Sequence, residues 1–185
     1  MPGAPRGLFV ERREALRQAL DLLHRGGFLT VCAPPHSGVT TFFFALRPRL
    51  ARCAYLDLAN LSFSEDCHRD AARSLAREIR RAAPELQAPD ELWTVTDVLG
   101  VVDRAHDARE SNAEPLTVIV DGFDAWNDEN AQRLVLALRA AYTESRTRGA
   151  RRSGFSILTG SSTNLRDLTA SGRTSPLNLA QQIFL

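Results

Sequence analysis

Residues 32–42 read CAPPHSGVTTF. A turn of backbone N–H groups running into a helix can wrap a phosphate, with a glycine for close approach and a hydroxyl for Mg²⁺. The pattern G-x-x-x-x-G-K-[ST] finds its second glycine at Gly38 and its hydroxyl at Thr40. Ala33 stands at the first glycine and Val39 at the lysine. Pro34 and Pro35 have no N–H, so the donors expected are those of His36, Ser37, Gly38, Val39, Thr40 and Thr41. A hydrogen bond to a charged group contributes roughly 1.5–3 kcal/mol. Losing the lysine should therefore weaken nucleotide binding about ten- to a hundred-fold. Phosphoryl transfer should suffer more, because positioned charge stabilises its transition state. His36 is a weak substitute charge, and the bland alternative for the stretch is a plain strand-to-helix turn.

A second constellation is TVIVDGFD, residues 117–124. An aspartate at the carboxyl end of an apolar strand is where phosphate-loop enzymes hold magnesium, and Asp121 has that position. Thr40 and Asp121 are thus the expected Mg²⁺ ligands. The neighbouring place for an acid that orients water is Gly122, which leaves Asp124 as the one candidate catalytic residue. By itself a strand-end aspartate is more often a cap or turn former; the pairing with the loop is what points to chemistry. A third, SILTGSSTNLRDL, puts Ser161, Ser162 and Thr163 after an apolar run, where an outer phosphate could be sensed, with Arg166 the nearest arginine. A polar helix cap accounts for them equally.

These residues need a frame. Apolar runs at 28–33, 53–60, 116–124, 155–160 and 181–185 alternate with helix-length segments. Leu16, Leu20 and Leu23 form a stripe before Gly26-Gly27. A helix opens near Thr40 and Pro48 ends it. Another follows Ser64, the expected N-cap, and stops at Pro84. Val95, Val98, Leu99, Val102 and Ala105 mark the next, and residues 128–145 another. Strands joined by helical crossovers predict an α/β fold, a doubly wound, mainly parallel five-stranded sheet with helices on both faces. Ligands then bind beyond the carboxyl ends of the strands, where both notable loops fall.

The 185 residues suit one such domain, residues 9–185, behind a flexible arm, residues 1–8. All 23 basic residues are arginine, so no lysine elsewhere can serve the loop. A net charge of +1 suggests no nucleic-acid or membrane coat, and nucleic acid is not an expected partner. The polar stretch RTRGARR, residues 146–152, reads as a solvated basic loop. No run of about 18 apolar residues could span a bilayer. Three cysteines without metal or disulfide spacing fit the cytoplasm. Trp93 and Trp126 receive no role.

Taken together, FVERREALRQALDLLHRGGFLTVCAPPHSGVTTF, YLDLANLS, VIVDGFD and the closing SPLNLAQQIFL resemble the bacterial AAA-like domain of STAND-class P-loop NTPases, which are NACHT-like. The resemblance covers about residues 9–185. It implies a nucleotide-dependent switch with ATP or ADP and Mg²⁺ between the α/β core and a helical lid. Val10 and Arg12 would flank the base, residues 33–41 would hold phosphates, and Asp121 the metal. Val39 and Ala33 depart from the family pattern, and the chain reaches its end at the expected fifth strand, without a helical lid. The expectation is a degenerate member: a regulatory or scaffolding module with weak or no hydrolysis, working with a protein partner, an ATPase subunit or effector. A functional ATP-binding switch, with an arginine replacing the lysine, is the alternative. An ATPase-like DNA-binding adaptor using the arginines of 146–152 is the third.

Overall fold

Leu116–Asp121 is buried at every position. A strand with no exposed face must be covered on both sides. The computed structural model shows that cover and describes residues 12–34, 36–61, 66–86, 94–108, 114–147, 153–161 and 180–185. The strands are β1 Phe28–Cys32, β2 Cys53–Asp57, β3 Leu116–Asp121, β4 Phe155–Ser161 and β5 Gln181–Phe184. They form one sheet of order β2-β3-β4-β1-β5 in which every pair is parallel. The helices are α1 Arg13–His24, α2 Val39–Leu46, α3 Cys67–Ala82, α4 Val95–Asp107 and α5 Asp128–Thr147. The chain has the doubly wound sheet that the alternating pattern predicts.

Each face of the sheet has its own core. On one, Leu56, Val118, Val120 and Ile157 meet the apolar sides of α3, α4 and α5. On the other, Leu29, Val31, Ile119 and Leu158 meet α1 and α2 through Leu16, Leu23, Phe42 and Phe43. Two buried hydroxyl pairs lie at paired positions of neighbouring strands: Thr30 with Thr159 at 2.9 Å and Thr117 with Ser156 at 3.0 Å. A one-residue slip would leave these four hydroxyls unpaired inside apolar layers, so they help to specify register.

Two boundaries differ from those read in the sequence. The N-cap of α3 is Asp66, whose carboxylate accepts the Arg69 N–H at 3.3 Å, rather than Ser64. Carboxylate and hydroxyl caps compete within two residues, and spacing to the apolar stripe does not separate them. Strand β2 stops at Asp57, and Leu58–Leu61 turn as a 3-10 helix. Asp57 accepts from the Ala59 N–H at 3.0 Å and Asn60 Nδ2 at 2.8 Å, which folds the chain away from the sheet.

Candidate functional site

The order of the strands places the loop after β1 beside the end of β4, with β3 next to that. The connection after β1 runs to β2 on one side of the sheet and that after β4 to β5 on the other, which opens a crevice beyond the carboxyl ends of β1 and β4. A cleft of about 390 Å³ occupies it. Among its walls are His36, Ser37, Gly38, Val39 and Thr40 from the loop, and Asp121 and Asp124 from the end of β3. The five loop residues lie about eighty positions in sequence from these two acids; the parallel sheet brings them together.

The loop is built as a helix entry. Gly38 sits at the N-cap of α2 with φ +83°, a left-handed conformation in which other residues are strained. Its carbonyl accepts the Phe42 N–H at 2.8 Å, closing the first turn. The opening N–H groups of α2 have no partner within the helix and face the site with the positive end of its dipole. Ser37 N–H is not among the usable donors: it is spent on the Pro34 carbonyl at 3.1 Å. That narrows the expected donor set. His36 adopts φ +63° and is exposed, so the loop holds one non-glycine residue in a costly backbone region.

Val39 is the decisive position. A Cβ built on Gly160 of β4 would lie 2.7 Å from Val39 Cγ1 and 3.0 Å from the Phe43 ring. Val39 therefore fills the space beside a glycine and packs with the α1–α2 core rather than presenting a polar group. No arginine lines the cleft among the described residues, and its charged walls are the two acids.

Asp121 is buried, and both its oxygens are engaged. Oδ1 accepts the Gly122 N–H at 2.8 Å, and Oδ2 accepts the Tyr55 hydroxyl at 2.7 Å. Tyr55 is a site residue that sequence reading misses. Asp57 pairs with Asp121 across parallel β2 and β3, so Tyr55, two residues earlier, shares the same sheet face. The Tyr55 ring stacks on Phe44 of α2, centroids 5.6 Å apart, and Arg47 lies 5.6 Å from its centre. Burial, then the bond to Asp121 and its negative charge, push the Tyr55 phenol well above the usual tyrosine range. A folded pKa raised above the unfolded value near 10 contributes stability that is complete below about pH 10 and is lost as pH climbs toward the folded value. In an alkaline absorbance titration, subtracting Tyr55→Phe from wild type should leave a Tyr55 signal that appears only with unfolding. Phenolate from Tyr55 near pH 10 in the folded protein would refute this placement.

The remaining expected residues fall around the cleft. Thr41 follows Thr40 in the first turn of α2 but is not part of the lining. The backbone of Ser161 ends β4 in register with Cys32. Ser162, Thr163, Arg166, Val10 and Trp93 lie outside the described residues. Arg12 does not enter the cleft. Its Nη2 donates to the Ser37 carbonyl at 3.2 Å, bracing the loop from behind, and its Nη1 is buried without a hydrogen-bond partner. Trp126, also unassigned from sequence, donates Nε1–H to the Leu58 carbonyl at 3.0 Å and ties the turn after β3 to the turn after β2.

No protein-family model matches the chain, and no curated protein does. Solved structures do. The ORC2 protein of Aeropyrum pernix, in ADPNP and ADP complexes, matches at TM-score 0.65 and 17% identity over 98% of this chain and 48% of that one. A Walker-type ATPase of Pyrococcus abyssi matches at TM-score 0.63 and 14% identity, over 100% of this chain and 55% of that one. The chain has an AAA+-like P-loop NTPase fold. This P-loop fold also matches a chain of Drosophila ORC bound to poly(dA/dT) DNA and Cdc6, at TM-score 0.59 and 16% identity, over 93% of this chain and 28% of that one. The chain spans about half the length, or less, of the structures it matches.

That last likeness corrects one expectation. The near-neutral net charge suggested that nucleic acid is no partner, yet the same P-loop fold occurs in an assembly bound to DNA. Net charge averages a whole surface, whereas a contact needs only a local patch. Among the described residues no helix is long and apolar enough to cross a membrane.

The residues partly fit a magnesium nucleotide. The unpaired first turn of α2, the unspent Arg12 Nη1 behind the loop and the lone-pair capacity left on Asp121 favour it. The missing cation opposes it, because phosphates would face two carboxylates without a fixed positive charge.

Proposed function

We propose that residues 9–185 form a degenerate AAA-like module of the STAND or NACHT-like kind, behind an arm of residues 1–8. It regulates or scaffolds a protein partner, an ATPase subunit or effector, and hydrolyses nucleotide weakly or not at all. One observation carries this reading: the position of the loop cation is a valine packed beside Gly160, in a cleft whose charged walls are acids.

When bound, MgATP would supply the phosphoryl group and a Lewis acid. The chain's own part is modest. The N–H groups of Gly38 through Thr41 bind phosphate oxygens, with Ser37 and His36 at the rim. Thr40 and Asp121 hold the metal. Asp124 is the candidate for orienting water, and Ser161 for sensing the outer phosphate. Arg12 steadies the loop, and with Val10 flanks the base. Tyr55 holds the Asp121 carboxylate in place. Calorimetric titration with ATP and Mg²⁺ tests the reading. Weak or undetectable heat is expected, and micromolar affinity would favour the functional switch instead.

A second reading, a DNA-associated adaptor, is favoured by the shared fold of the Drosophila chain in its DNA-bound assembly. It does not compete with the first, because a module that has lost hydrolysis can still dock on a polyanion.

A further inference from the structure

Helix α3 carries Arg69, Arg73, Arg77, Arg80 and Arg81 against two acids, Asp70 and Glu78. The whole chain has a net charge of only +1, so this one helix concentrates positive charge that the remainder offsets. Like charges spaced four apart on a helix repel, so the arrangement costs stability in isolation. Three of the arginines open onto one shallow groove of about 430 Å³ between α3 and Leu61, with Ala76 in its floor and Asp70 at one end.

The groove is positive by its lining, in which three arginines face the one acid Asp70. Asp70 approaches Arg73 at 3.7 Å, and Glu78 pairs with Arg81 outside the groove. Among the described residues Arg77 reaches the Ser74 hydroxyl, at 3.4 Å. Arg73, Arg77 and Arg80 lie at i, i+4 and i+7, spanning about 10 Å of helix. That matches the scale of a few consecutive phosphates, and guanidinium forks suit phosphate oxygens. No aromatic side chain lines the groove, so base stacking has no platform there. The groove shares no residue with the loop cleft, and both are lined by described residues only.

We infer that the α3 arginine groove is a docking surface for the phosphodiester backbone of duplex DNA, bound without sequence preference. The inference rests on the DNA-associated reading and assigns it a surface other than the basic stretch 146–152.

The test is fluorescence anisotropy of the full chain with a labelled 30-base-pair duplex across a salt series. Arg73→Gln/Arg77→Gln/Arg80→Gln should weaken binding at least ten-fold and lower the slope of log affinity against log salt by about three. The single variant Arg77→Gln should lower it by about one. A charge-matched control, Arg17→Gln/Arg25→Gln/Arg133→Gln, alters exposed, ion-paired arginines elsewhere and should change both far less. Thermal melts verify that each variant is folded, and Arg77→Gln decides the matter if the triple variant is not. If wild type binds and the α3 variants behave like the control, the groove assignment falls and the DNA-associated reading stands. If wild type shows no salt-sensitive binding even in dilute buffer, both fall. Polyglutamate that competes as well as DNA would assign the groove to acidic proteins and overturn the inference.

Discussion

Asp103→Ala should lower the unfolding free energy by about 3 kcal/mol in denaturant titration. Asp103 lies on α4 and is buried. Its Oδ1 accepts the Ser145 hydroxyl of α5 at 2.6 Å and the Gly154 N–H at 3.0 Å, just before β4. Ser145 Oγ also lies 2.7 Å from Ser153 Oγ, which accepts the Phe155 N–H at 3.3 Å. One carboxylate oxygen therefore fastens two helices to the start of the strand whose far end faces Val39. Alanine removes the acceptor and leaves the buried Gly154 N–H unmatched, at about 1–3 kcal/mol, and it breaks the link to α4 from Ser145, whose hydroxyl can turn only to Ser153. Asp103 Oδ2 has no hydrogen-bond partner, so asparagine, which retains the first acceptor and drops the buried charge, should stay within about 1 kcal/mol of wild type. Equal losses for alanine and asparagine would show that the charge, not the acceptor, holds the strap.

The same strap marks where sequence reading stops. The strand–helix alternation was legible because periodicity is local: Leu16, Leu23, Val98 and Leu99 lie on the buried sides that their spacing predicts. Gly38 and Asp121 were legible because each needs only its own strand end. Asp103 was not, since within α4 it reads as one more polar residue and its partners are 42 and 51 positions away. Tyr55 was hidden for a related reason. Its bond to Asp121 spans 66 positions and exists only because β2 and β3 pair in one register. The substitution at Val39 was visible in the sequence, but its destination was not. That required the glycine at 160 to lie alongside it.

Val39→Lys should raise affinity for MgATP by ten-fold or more in calorimetric titration, the second large effect expected. A single charge-assisted hydrogen bond, roughly 1.5–3 kcal/mol, corresponds to about ten- to a hundred-fold. The entry to α2 is already shaped: Gly38 turns the chain and the opening N–H groups remain available. The cost is in packing. Val39 Cγ1 fills the space beside Gly160, and lysine, unbranched at Cβ, would give up roughly 1 kcal/mol of that contact. Its longer stem would then lead toward a cleft walled by Asp121 and Asp124. Val39→Met repeats the loss of the branch without adding charge, so it should not improve binding. If methionine helps as much as lysine, relief of crowding rather than charge is responsible. In the absence of nucleotide the new ammonium can pair with Asp121, which moderates the gain and should make it larger when Mg²⁺ is present to occupy that carboxylate. No gain with lysine would mean that the loop has lost more than its cation. The strained His36 and the Ser37 N–H spent on Pro34 would then be the places to look, since both shape the half of the loop that lysine cannot repair.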